Sequence, residues 1–362
     1  MAPTTAIRRA SHAAHPNETS IVSAYIRPIR PLLAASATLV AACADVAPTA
    51  PAADLALAPA ATVSADLLPI DPCTRCGPGP DKGKVLFTRY VIQGHAKQFD
   101  LFKSNPDGTG VERLTTSAEA EFEPAWSANY RRVAFVRMIG GQTDLFVMNA
   151  DGTGVQRLTD TPTVSESAPA WSPDDKRIVH EQGDGSLAIT AADGSGTVPF
   201  PAADGCAIMD PYGPGCVQSM SKWKGSPTWS PDGTEIVFTI NAGFIALHPS
   251  GVRAAKVADP STVRWVVQGP LGFKNPRYSP SGTELAYLYN GKPTIVRATD
   301  GVLVQKFAPG FLISGLSWAP DGKRLVTERG DNLDGVYRLD RASGLAFKMA
   351  LPNGAMQPAW SR

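Results

Sequence analysis

A closed ring of six four-stranded antiparallel blades, an all-β fold, is what the sequence predicts, and three observations predict it. A Pro-x-Trp-Ser-Pro-Asp-Gly unit recurs with anchor spacings of 45, 58, 49, 40 and 42 residues. Such a period fits four short strands with their turns. Asp-Gly turn signals fall between runs of alternating apolar and polar residues, the pattern of β-hairpins. The last copy of the unit breaks off after its Trp, and the missing remainder stands at the head of the array. Together these describe a six-bladed β-propeller over residues 80–362.

The blades follow in order. Pro124-Ala125-Trp126-Ser127 anchors one and leads into Arg132-Val133-Ala134-Phe135. Pro169-Ala170-Trp171-Ser172-Pro173-Asp174 anchors the next. Pro227-Thr228-Trp229-Ser230-Pro231-Asp232-Gly233 is the most complete copy. Pro276-Arg277-Tyr278-Ser279-Pro280 puts Tyr in place of Trp, and Leu316-Ser317-Trp318-Ala319-Pro320-Asp321-Gly322 restores it. Pro358-Ala359-Trp360-Ser361 is the truncated copy. Joined to Pro80-Asp81-Lys82-Gly83-Lys84-Val85-Leu86-Phe87, it becomes whole. One blade is therefore expected to take its inner strand from the C-terminal end and three strands from the N-terminal end. That closure removes open sheet edges. Between anchors, Asn105-Pro106-Asp107-Gly108-Thr109-Gly110 and Asn149-Ala150-Asp151-Gly152-Thr153-Gly154 read as hairpin turns. In this unit Pro ends a strand, Asp accepts turn N–H groups, and Trp fills the space between blades. All three are structural tasks.

This pattern resembles the TolB-like six-bladed β-propellers, a WD40-like (PD40) repeat family. The resemblance covers roughly residues 80–362. It implies a scaffold that binds partners in its channel or on one face. Family members with an N-terminal α/β domain differ from this chain, where an Ala/Pro tether precedes the propeller. Their docking to the peptidoglycan-associated lipoprotein is therefore not carried over as a whole, and fold alone does not assign function.

Composition narrows the classes. The chain has 362 residues, with 34 Lys and Arg against 33 Asp and Glu, a net charge of +1. A basic nucleic-acid footprint and an acidic tail are both excluded. The 43% hydrophobic share suffices for a large core.

The first 79 residues carry an address. Leu32–Ala42 is an apolar run of 11 residues behind Arg27 and Arg30, too short to span a bilayer and laid out as a signal peptide. Val40-Ala41-Ala42-Cys43 resembles a bacterial lipobox, which makes residues 1–42 a signal peptide and Cys43 the lipidation site. A start at Val22 would leave a signal of ordinary length. Residues 43–79 form the lipidated Cys and tether. Ala44–Ala65 holds 10 Ala in 22 residues, reaching roughly 70 Å if extended. Ala44, rather than Asp, follows the lipid site, so the sorting rule of enteric lipoproteins points to the outer membrane, facing periplasm or cell surface. The lipid is the expected membrane contact.

Four cysteines remain for an exported protein: Cys73, Cys76, Cys206 and Cys216. Disulfides are the default, and of the three possible connectivities the favoured one pairs Cys206 with Cys216, which bracket one Gly/Pro-rich loop whose closure costs little entropy, and leaves Cys73–Cys76 as the second pair. A four-Cys zinc site and a redox-active Cys73–Cys76 pair are the alternatives.

Catalytic signals are weak. His180 occupies a strand position filled by Phe135, Phe238 and Tyr287 in other blades and reads as core. His95 and His248 lie at non-equivalent positions, so the His cluster of related propeller lyases is not reproduced. No Gly-x-Ser-x-Gly elbow or P-loop occurs, and the Asp-Gly-Thr-Gly turns lack the ligands of a calcium loop. No metal or cofactor is expected. The residues flanking the inner strands remain: Glu121, Glu123, Glu166, Trp223, Lys224, Lys274, Asn275, Arg277 and Gln357. Their signs split, acidic on the first two anchors and basic on the third and fourth. Such a split would orient a dipolar partner. The expectation is a monomeric, non-catalytic envelope scaffold holding a protein or peptide at the channel mouth. The alternative is a metal- or carboxylate-dependent lyase or hydrolase of glycans, with Glu121 and Glu166 as its carboxylate pair.

Overall fold

A computed structural model gives the architecture. It describes residues 83–360 except 94–95, 202–205, 210–215, 220–223, 242–249 and 331–334; for 93, 96, 206–209, 216–219 and 224 it describes the backbone alone. Six four-stranded antiparallel sheets form the blades, and no helix occurs among the described residues.

Blade I joins Ala355–Trp360 to Val85–Gln93, Ala96–Ser104 and Glu112–Arg113, so the ring is closed by strands from both ends of the array. Blade II runs from Glu121–Trp126 through Arg132–Ile139 and Gln142–Asn149 to Gln156–Arg157. Blade III runs from Glu166–Trp171 to Thr197–Pro199, and blade IV from Lys224–Trp229 to Val263–Gly269. Blade V spans Phe273–Tyr278 to Leu303–Lys306, and blade VI spans Ile313–Trp318 to Ala346–Lys348. The long interval before blade IV adds a separate hairpin, Cys206–Met209 with Cys216–Ser219. The first strand of each blade touches the first strand of both neighbours, which makes these six strands the wall of a central channel.

The core follows from that ring. Among the described residues, six hydrophobic clusters occur, one at each blade junction. The anchor Trp side chains sit in these junctions as expected. Trp171, Trp229, Trp318 and Trp360 are buried. Trp171 Nε1 donates to Ala125 O at 3.1 Å and Trp318 Nε1 to Arg277 O at 2.9 Å, each reaching the preceding blade. Arg132 and Arg177 lie over the rings of Trp171 and Trp229, adding cation–π attraction. Tyr278 can replace Trp because Glu235 of the preceding blade accepts its hydroxyl at 3.2 Å.

Turn chemistry sets the register. Asp107 and Asp151 accept the N–H of Thr109 and Thr153, both at 2.9 Å. Gly152 takes φ +86°, and a Cβ there would meet Leu114 O of blade I at 2.4 Å. Only glycine fits such a turn against a neighbouring backbone. In the anchor turns, Asp174, Asp232 and Asp321 accept the N–H of Lys176, Thr234 and Lys323.

Candidate functional site

The inner strands are not regular. Their pairing with the second strand shifts register around the third residue in every blade. That residue is Glu123, Ala168, Ser226, Asn275, Gly315 or Gln357. Five of the six hold φ between +49° and +55°, a left-handed conformation that L-residues seldom take. In those five blades Pro follows: Pro124, Pro169, Pro227, Pro276 and Pro358. Strain of this kind persists where the surroundings over-determine it.

What holds the bulges is a ring of hydrogen bonds, one across each blade junction. Glu123 N–H donates to Gln357 Oε1 at 3.0 Å, and Ala168 N–H donates to Glu123 Oε2 at 2.6 Å. Ser226 N–H donates to Glu181 Oε2 at 3.3 Å, and Ser226 Oγ to Asn275 Oδ1 at 3.1 Å. Asn275 Nδ2 donates to Ser314 O at 2.7 Å, and Gln357 N–H to Glu328 Oε2 at 2.9 Å. Each of these bonds joins one blade to the next, around the circumference of the channel.

Below the collar lies a cavity of about 520 Å³ that extends to the anchor turns, past Ser127, Tyr130, Pro173 and Pro280. This is the size of a small-ligand site. The fifth residue of each inner strand lines it. Five are small, Ala125, Ala170, Thr228, Ser317 and Ala359, and the other is Arg277. Among the described residues, Arg277 is the only cation of the lining, and its one hydrogen bond among them runs from Nη1 to Pro276 O at 2.9 Å. Arg277 stands on blade V and Glu123 on blade II, diametrically opposite, so they attract across the lumen without forming an ion pair. Burial pulls the Arg277 guanidinium down to about 10, with Glu123 acting in the opposite sense; it stays charged at neutral pH.

Among the described residues, three carboxylates share the cavity. Burial raises Glu123, against the Ala168 N–H and Arg277, which lower it. Burial raises Glu181, and the nearby Glu123 charge adds to this while the Ser226 N–H opposes it. Burial raises Glu328 as well, opposed by the Gln357 N–H and the Ser314 hydroxyl. A carboxylate raised on folding binds more protons in the folded than in the unfolded state. Stability then falls as pH climbs from the ordinary 4.5 through the folded value. The turn aspartates are held low by hydrogen bonds, so their contribution is lost only as pH drops through and below 3.8. We therefore expect Glu181→Gln with Glu328→Gln, which keeps both acceptor oxygens, to flatten the decline in urea midpoint above pH 4.5. Parallel midpoint-against-pH curves for the wild type and this variant would refute the assignment.

The expected rim residues divide. Glu123, Asn275 and Gln357 belong to the collar and Arg277 to the cavity wall; Lys274 is exposed. Glu121 and Glu166 do not line the channel. Both are fully buried between blades, Glu121 on Arg137 at 2.6 Å and Glu166 on the hydroxyls of Thr161 at 2.6 Å and Thr159 at 3.1 Å. The bulge causes this. It turns the first residue of the strand into the junction while the third and fifth face the lumen. These two glutamates therefore offer no carboxylate pair at the channel. Lys224 is described as strand backbone only, as are Cys206 and Cys216, while Trp223, Cys43, Cys73, Cys76, His95 and His248 lie outside the described residues. His180 is core: it is fully buried, its Nε2 sits 2.9 Å from Thr190 Oγ1, and burial pulls it to about 4. No group of three or more metal-ligating side chains occurs among the described residues. Glu181 and Glu328 were not among the expected residues. Their signal was a carboxylate at a second-strand position where other blades carry Thr88, Val136, Thr239 or Leu288.

With this geometry in place, comparison with known proteins adds the fold. No family model matches the chain, and no curated protein does. Among solved structures, TolB from Acinetobacter baumannii is similar at a TM-score of 0.62 and 14% identity, over 78% of this chain and 67% of that one. A chain of the nidogen/laminin complex is similar at 0.60 and 10% identity, over 77% of this chain and 98% of that one. Kuenenia stuttgartiensis hydrazine synthase reaches 0.53 and 15% identity over 77% of this chain, but only 46% of its own. At these identities the likeness is one of architecture. This chain is a six-bladed β-propeller, similar in fold to TolB.

Proposed function

We propose that this protein is a non-catalytic binding module of the bacterial cell envelope. In this reading the lipid on Cys43 and the tether hold the propeller to the outer membrane, and the channel takes a peptide segment of an envelope protein. One observation carries it. The cavity faces a charged, donor-rich Arg277 with the Glu123 carboxylate on the opposite wall. A dipolar lumen of about 520 Å³ suits a short stretch of backbone, which itself carries donors and acceptors. The TolB-like architecture is compatible with this role and does not assign it.

The test is in-cell photo-crosslinking from Thr228 in the cavity wall, with mass spectrometry of the adducts. A single dominant envelope protein, joined through one segment and depleted in an Arg277→Gln background, is the expected result. Adducts identical to those from a crosslinker at the exposed Glu112, on the outermost strand of blade I, would overturn the reading.

A further inference from the structure

Among the described residues, Arg277 is the one cation of the channel lining, and none of them forms an ion pair with it. A guanidinium has five N–H donors, and Arg277 uses one, on the carbonyl beside it in its own strand. Among the described residues, no carboxylate forms an ion pair with it. Glu123, Glu181 and Glu328 each already accept a backbone N–H of the collar. None of the Arg277 nitrogens is a buried orphan, so the free donors are reachable from the cavity. Every other blade places Ala, Thr or Ser at this position, which leaves room in front of the guanidinium. A planar fork of unused donors facing open volume is built to take a carboxylate in bidentate fashion.

We propose that Arg277 receives the free C-terminal carboxylate of the peptide partner. This rests on the peptide-binding reading above and makes it specific. The collar closes its hydrogen bonds around the channel, and the cavity runs from it toward the anchor turns. A chain end enters such a lumen as one strand. An internal loop would bring two, about 4.8 Å apart, between walls that already carry the anchor Trp and Tyr residues. The last peptide N–H groups would then lie among the second oxygens of Glu123, Glu181 and Glu328, whose first oxygens accept the collar N–H groups.

The experiment uses the full chain and a defined tetrapeptide mixture, N-acetylated, offered as free acids and as C-terminal amides, with propionate alone as a third arm. Retained ligand is measured by mass spectrometry. Free acids are expected to be retained about tenfold over amides. Arg277→Gln should bring that ratio to about one, and Arg277→Lys should keep part of it; unchanged thermal melting of both variants shows that folding is intact. Equal retention of acids and amides overturns the terminal carboxylate while leaving peptide binding in place. A preference for acids that survives in Arg277→Gln overturns the assignment to Arg277. Retention of propionate with no peptide overturns the peptide terminus and the proposed function together.

Discussion

Ending the chain at Gly354 is expected to abolish the cooperatively folded propeller. The lost strand, Ala355–Trp360, is the inner strand of blade I and pairs Val85 with Trp360, Leu86 with Ala359 and Thr88 with Met356. Without it the ring opens and the inner edge of Val85–Gln93 is left unpaired. Trp360 is buried with Val85, Phe87, Ala319, Val326 and Met349, which belong to blades I and VI. Its N–H donates to Ser317 Oγ at 3.1 Å. Gln357 spans two of the six collar junctions, accepting from Glu123 and donating to Glu328. Trp360→Ala alone should cost about 3–5 kcal/mol, a large part of the roughly 5–15 kcal/mol that stabilises a typical domain. Urea unfolding followed by near-ultraviolet circular dichroism reads both variants. The decisive control is a circular permutant in which residues 355–362 precede residue 80 and the chain ends at Gly354. It should regain a sharp transition, because Val85 lies opposite Trp360 and a Ser-Pro-Asp turn joins the corresponding strands elsewhere. A truncated chain that still unfolds cooperatively at the wild-type midpoint would disprove closure as the source of stability.

Closure was legible because it is written in local chemistry. Trp360-Ser361 lacks its turn, and Pro80-Asp81 supplies one. The blade count, the buried anchor Trp residues and the core role of His180 were legible for the same reason: each depends on a short motif and its period. The collar was not. Its six residues, Glu123, Ala168, Ser226, Asn275, Gly315 and Gln357, share no chemistry; what they share is a backbone bulge. A period of two places Glu121, Glu123 and Ala125 on one face of a strand. The bulge breaks that alternation and sends Glu121 into the blade junction. The available clue was Pro after the third residue in five of the six copies, since Pro marks a bulge or edge within a sheet. The placement of charge around the lumen was not legible. The opposition is between Glu123 on blade II and Arg277 on blade V, and position in a ring cannot be read until the ring is closed.

Replacing Arg137 should show how much of the fold rests on the junction that Glu121 occupies. Glu121 Oε1 accepts from Arg137 Nε at 2.9 Å and Nη2 at 2.6 Å. The same guanidinium lies over Phe146, 4.6 Å from the ring centroid. Burial raises Glu121, and the neighbouring Asp100 charge raises it further, while Arg137 opposes both. Arg137→Met keeps the apolar contact and strands the carboxylate. Breaking a buried pair from one side costs about 3–5 kcal/mol. Removing both partners, as Arg137→Met with Glu121→Met, should recover most of that loss, because no buried charge remains. The single variant also carries a pH signature. With Arg137 gone, Glu121 rises further, so the deficit shrinks as pH falls through its folded value toward the ordinary 4.5. Urea midpoints at pH 5 and pH 7.5 therefore differ more for Arg137→Met than for the double variant. Equal losses for the two variants would mean that the stranded carboxylate is not the cause. The comparison also separates fold from function. Glu121 holds the junction, and Glu123, two residues on, holds the collar and faces Arg277. A double variant that folds normally but loses channel binding would show that the bulge transmits the state of the junction to the lumen.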